Sequence, residues 1–184
     1  MKIVIILLVI LILGFLMLFN LFKKRKNAVN EAFATMDVYL KKRWDLIPNL
    51  VETVKGYASY ESNTLKEIIA QRSNYDNLNN DEKLETNWKV TNQLTKLFAL
   101  VESYPEIKAN THFLELQKSL SLIEDEIASS RKYYNAVVRV YNNLVETFPS
   151  NIVAKLFGYK SLKMFEASVE EKHNVEVNLN ENKE

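Results

Sequence analysis

Residues Ile3 to Phe19 are apolar without a break apart from Gly14, and Leu21 and Phe22 carry the run past Asn20. About 20 residues at about 1.5 Å each cover about 30 Å, the thickness of a bilayer's hydrocarbon core. Leu, Ile, Val and Phe each favour insertion, and over the run they sum to about −5 to −10 kcal/mol. The run ends in Leu21-Phe22-Lys23-Lys24-Arg25-Lys26 with no small-residue cleavage site, which predicts an uncleaved transmembrane anchor rather than a signal peptide. Gly14 has no small residue four positions away, so the span carries no helix-dimerisation motif.

Beyond Lys26 the pattern turns amphipathic. Phe33, Leu40, Ile47, Val54 and Ile68 recur at multiples of seven with Glu61 as the exception, and Val29, Met36 and Leu50 form a second series beside them. This predicts one helix over about 27–75 with an apolar stripe. With no Pro or Gly between Phe22 and Asn27, the anchor is expected to run straight into it. Pro48 predicts a kink, with a restart capped by Asp45 as the alternative. A second helix is expected over 80–103, opened by the Asn79/Glu82 capping pair, buried through Leu84, Trp88, Leu94, Phe98 and Val101, and ended by Tyr104-Pro105. A third is expected over 111–148 behind Asn110 or Thr111. Its seam is Phe113, Leu116, Leu120, Ile123, Ile127, Ser130, Tyr134, Val137, Tyr141, Leu144 and Phe148, in 3,4 alternation. Pro149 stops it, and a short helix over 151–157 closes at Gly158. Residues 149–165, with Ile152, Leu156, Phe157 and Phe165, read as a lid over one end.

The fold class expected is therefore all-α: an N-terminal transmembrane helix, then an antiparallel up-and-down bundle of three long helices plus a short fourth segment. The domains read as 1–26 anchor with basic flank, 27–165 bundle, and 166–184 an acidic, Asn-rich tail of disordered composition. Composition narrows the chemistry. Cysteine is absent, which excludes disulfides and thiolate chemistry, and the 3 glycines are too scattered for a phosphate-binding loop. A net charge of +1 gives no field towards nucleic acid, and no recognition motif is present. The excess of Lys23, Lys24, Arg25 and Lys26 over Lys2 favours a cytoplasmic body, and these four also flank the lipid.

Two stretches carry a specific likeness. One is Leu40-Lys41-Lys42-Arg43-Trp44-Asp45-Leu46-Ile47-Pro48-Asn49-Leu50-Val51-Glu52-Thr53-Val54-Lys55-Gly56-Tyr57. The other runs from Ser130-Arg131-Lys132-Tyr133-Tyr134-Asn135 through Tyr141-Asn142 to Phe148-Pro149 and Ala154-Lys155-Leu156-Phe157-Gly158. With the Tyr104-Pro105 turn and Phe113-Leu114-Glu115-Leu116, they resemble the LemA family of bacterial membrane proteins over about residues 20–165, with no counterpart placed for the tail. The resemblance implies one N-terminal membrane helix and an antiparallel four-helix-type bundle in bacteria, and supplies no catalytic residues.

Candidate chemistry is sparse. The Glu-x-x-His spacing of bundle di-metal sites occurs once, at Glu170–His173 in the tail, and His112 reads as a solvated first-turn residue, so neither a metal site, a cofactor nor a catalytic triad is expected. Asp45, Asn49, Glu52 and Gly56 share one face of the first helix, and Arg131, Asn135, Val138 and Asn142 one face of the third. Asp45 or Glu52 pairing with Arg131, and the asparagines bonding between helices, would make these a register-setting network or a contact face. Tyr134 and Tyr141 read as core, Tyr133 as a surface contact, and Lys41, Lys42 and Arg43 as a solvated basic face. The function expected is an interaction or scaffold module at the cell membrane, held by residues 3–22, meeting membrane or cytoplasmic proteins or a second copy of itself. The alternative is a ligand-binding or enzymatic bundle using a polar groove between the first and third soluble helices.

Overall fold

The computed structural model describes residues 1–56 and 75–165. Helix α1 runs from Lys2 to Lys55 without interruption, so the expected anchor and the first amphipathic helix are one rod. Residues 1–14 are exposed; cover begins at Phe15 and is complete at Phe22. From Val29 onward the expected stripe is buried: Phe33, Met36, Leu40, Ile47, Leu50 and Val54 are all in the core. Pro48 sits inside the helix, so no restart occurs at Asp45.

The helix ends earlier than the periodicity suggests. Gly56 caps α1, and by Tyr75 the chain is back beside the middle of it: the Tyr75 hydroxyl donates to Asp37 Oδ1 at 2.7 Å and its ring lies 5.8 Å from that of Trp44. A single helix over 27–75 would put those residues about 57 Å apart, so the expected extent is corrected to Lys55. Glu61 and Ile68 of the stripe, Tyr57, Tyr60, the Glu170–His173 pair and the 166–184 tail lie outside the described residues.

Helix α2 spans Asn80–Glu102. Its start is the reciprocal capping box expected: Asn79 Oδ1 accepts from the Glu82 amide, and Glu82 accepts from the Asn79 amide. A single turn, α3 (Pro105–Lys108), follows with proline in its first turn, where the missing N–H costs nothing. Helix α4 covers Thr111–Glu146 behind an Asn110 cap, and α5 covers Ser150–Phe157, closed by Gly158 at φ 69°. That left-handed conformation is one a side chain would strain. No strand occurs among the described residues.

The tertiary pairs fix the arrangement. Phe33 meets Tyr134 and Arg43 meets Glu124, so α1 and α4 run antiparallel. Phe98 meets Phe113, and Asn87 and Glu124 share Arg43, so α2 and α4 do too. Asp37 pairs with Lys83 and Arg43 with Thr91, so α1 and α2 rise in the same sense. Three seam positions differ from expectation. Trp88 is half exposed, while Asn87 and Val90 take the buried face of α2. Val138 rather than Val137 is fully buried, because a 3.6-residue helix drifts off a strict 3.5 repeat over this length. Phe148 lies beyond the end of α4 and is 79% exposed.

Candidate functional site

Asp45, Asn49 and Glu52 are exposed along one line of α1, as their 4,3 spacing dictates. At the end of the bundle farthest from the anchor, Asn49, Glu52 and Thr53 join His112, Glu115, Leu116 and Ser119 of α4 to line an open groove of about 560 Å³. Glu52 lies 3.6 Å from Lys55, and His112 Nδ1 lies 3.9 Å from Glu115. The groove therefore offers two carboxylates and an imidazole on a solvated surface. Its chemistry suits recognition of a cationic or hydrogen-bonding group. Among the described residues, no group of three or more His, Asp or Glu side chains could hold a metal ion.

Arg131, Asn135 and Asn142 sit elsewhere. The register that pairs Phe33 with Tyr134 puts Arg131 level with Met36, nine residues or about 13 Å along the axis from Asp45. The two polar faces therefore do not meet, and Glu52 pairs with Lys55 of its own helix instead of Arg131. What Asn135 and Asn142 hold is the chain after α5. Asn142 donates to the Leu162 carbonyl and accepts from the Leu162 amide, both at 2.9 Å. Asn135 treats Phe165 the same way at 2.8 and 2.7 Å. Seven helical residues rise about 10.5 Å and three extended residues span about 10 Å, so two asparagines at this spacing match the pitch of an extended segment laid antiparallel on α4. Between them the buried Tyr134 hydroxyl donates to the Lys163 carbonyl at 3.1 Å, and the Arg131 guanidinium covers the Phe165 ring at 4.0 Å. Lys163 reaches Glu85 on α2 at 3.1 Å, and that hydrogen bond, with the charges of Glu85 and Asp81, raises its pKa.

One functional-looking residue escaped the sequence reading. Arg43 is fully buried, not part of a solvated basic face. Its guanidinium joins three elements: Nη1 to Thr91 Oγ1 at 3.2 Å and Glu124 Oε1 at 3.1 Å, and Nη2 to both the carbonyl and side-chain oxygens of Asn87. Phase was the available signal: Arg43 follows Met36 and Leu40 on the buried stripe, whereas Lys41 and Lys42 do not. The expected surface tyrosine, Tyr133, is exposed; Tyr134 and Tyr141 are buried.

At the other end, Lys23 to Lys26 are exposed around α1. Lys23 lies over the Phe19 ring at 5.9 Å and Lys26 over Tyr159 at 6.0 Å, while Tyr159 stacks on the buried Phe22 ring at 4.7 Å.

Comparison with known proteins covers most of this architecture. The model of the LemA family matches residues 32–179, so the match runs past residue 165 into the acidic segment. Protein LemA of Metamycoplasma hominis is 26% identical over 159 residues, covering 85% of this chain and 73% of that protein. Magnetosome protein MamQ 2 of Paramagnetospirillum magneticum is 36% identical over 75 residues, 41% of this chain and 28% of that protein. Magnetosome protein MamQ of Magnetospirillum gryphiswaldense is 34% identical over 74 residues, 40% of this chain and 27% of that protein. The chain thus spans less than a third of the magnetosome relatives. None of these names denotes an enzyme.

Proposed function

The chain belongs to the LemA family, a membrane-associated helical protein, and on that premise we propose that it is a single-pass, membrane-tethered interaction module without catalytic activity. Residues 3–22 span the cell membrane, and the body stands on the cytoplasmic side, the side that the Lys23–Lys26 cluster favours. The observation that carries the reading is the placement of the groove. It is acidic, open and solvated, and a continuous helix holds it about 44 Å beyond Lys23. Asp45, Asn49 and Glu52, with Glu115 across the groove, form the contact face for a basic segment of a membrane or cytoplasmic protein. Tethering adds effective concentration for any partner in the same bilayer. Arg131, Asn135 and Asn142 set the register of the 162–165 segment.

The test is in-cell crosslinking from the groove, followed by capture from solubilised membranes. Glu52→Lys with Glu115→Lys should cut recovery of crosslinked partners by about tenfold or more while leaving the melting temperature unchanged, because both side chains are exposed. Undiminished recovery would remove the groove as the contact face.

The second reading, a small-ligand or enzymatic site in the same groove, has the clustering of His112 with Glu115 and Glu52 in its favour. It calls for saturable binding of a small cationic ligand to the detergent-solubilised chain, abolished by the same two substitutions.

A further inference from the structure

The α5 segment leaves a set of large apolar side chains uncovered at one end of the bundle. Phe148 is 79% exposed, Ile152 59% and Leu156 68%, while Val153 and Ala154 of the same helix are buried against the body. A water-facing helix of eight residues would not present Ile152 and Leu156, one turn apart, to solvent.

Ring contacts fix where this patch lies. Phe157 sits 4.8 Å from Phe19 and 5.7 Å from Phe15, and Tyr159 stacks on Phe22. All three partners belong to the apolar run that precedes Lys23. Phe15 is eight residues, or about 12 Å, to the membrane side of that lysine.

The thickness of the bilayer then decides between two placements. If lipid stopped where the body begins, only Ile3 to Gly14 would be immersed, which is 12 residues or about 18 Å. That falls about 12 Å short of the hydrocarbon core. Immersing the whole run to Phe22 supplies the full thickness and places the basic cluster at the headgroups. It also carries Phe157, and the α5 helix that bears it, below the headgroup level.

We propose that α5 is a second membrane element, a short helix seated in the interfacial and upper acyl region of the leaflet on the body's side, with Phe148, Ile152 and Leu156 inserted among lipid chains. The inference rests on the anchoring of residues 3–22 proposed above. The remaining chemistry fits. Lys155 and Lys160 are exposed on the same segment, where their stems allow the ammonium groups to reach phosphate. Tyr159, between Phe22 and Lys26, stands at the level where tyrosine is favoured in membranes. The Asn135 and Asn142 bonds fasten the chain that leaves this element to α4.

The cysteine-free sequence makes the test direct. Single cysteines at Ile152, Leu156, Leu8 and Leu122, all exposed positions, are labelled with a polarity-sensitive fluorophore in the full chain. The protein is reconstituted in vesicles of phosphatidylcholine with a minority of phosphatidylglycerol, with or without acyl-chain nitroxide lipids. Labels at Ile152 and Leu156 should shift to the blue and be quenched at least about half as strongly as the label at Leu8, with Leu122 unquenched. A Leu156→Glu change should weaken quenching at Ile152 and leave Leu8 quenched. Water-like spectra at Ile152 and Leu156 with Leu8 quenched would overturn the proposal and keep the anchor. A blue shift without lipid quenching would overturn it in favour of a protein neighbour such as a second copy. An unquenched Leu8 would overturn the anchor itself and this proposal with it.

Discussion

A guanidinium enclosed as Arg43 is calls for local answers to its charge and donors; Glu124, Thr91 and Asn87 answer both Nη groups from two other helices, while Nε is buried without a hydrogen bond among the described residues. Its partner Glu124 is more than a third exposed, so deleting Arg43 does not strand a fully desolvated carboxylate. Arg43→Ala should still cost about 3 kcal/mol in equilibrium urea unfolding, through the void and the broken bonds. Glu124→Gln should cost much less. Tyr134 makes a second residue-scale case. Burial, helped by the charge of Asp81, raises its pKa. Below pH about 10 both folded and unfolded chains keep the proton and nothing differs. Above that the unfolded chain releases it first, so stability falls with rising pH. Tyr134→Phe should cost about 1 kcal/mol at neutral pH by losing the bond to Lys163, and should flatten the alkaline decline of the melting temperature. The burial of Arg43 was legible from phase alone, but its partner 81 residues away is displayed by no local pattern. The caps at Asn79 and Asn110 were legible because their chemistry closes within three residues.

Among the elements, the 162–165 segment is tied to α4 by side chains acting on its backbone, and its own Leu162, Met164 and Phe165 pack against the core. Replacing Asn142 with Ala removes both bonds to Leu162 and should cost about 1–2 kcal/mol. The sharper readout is hydrogen exchange: the Leu162 amide should lose protection while Phe165, held by Asn135, exchanges more slowly than it. Asn135→Ala should reverse the order. Helix continuity from Phe22 to Asn27 was readable, since nothing in that stretch breaks a helix. The end of α1 was not, because a heptad series continues past Gly56 whether or not the chain turns there. The seam of α4 was legible in its middle and failed at its end, where Phe148 is released beyond the last turn. Spacing puts each polar set on one side of its own helix, but the mutual level of the two sets depends on register, which sequence spacing along single helices does not contain.

For the whole molecule, the rod α1 joins an exposed apolar run to a body packed around the rest of it. Phe15, Phe19 and Phe22 are contacted by Phe157 and Tyr159. A chain starting at Lys23 would lose those contacts and uncover more of an apolar end already bearing Phe148, Ile152 and Leu156. It should self-associate in analytical ultracentrifugation, and Leu156→Ser with Phe157→Ser should return it towards the monomer.

Because α1 has no joint between the proposed span and the body, the body inherits the attitude of that span. A bilayer that thickens or thins changes the tilt of an embedded helix. A change of about 10° sweeps a point about 44 Å above the headgroups sideways by about 8 Å. The groove at Glu52 would thus report, as lateral displacement, the thickness of the membrane beneath it.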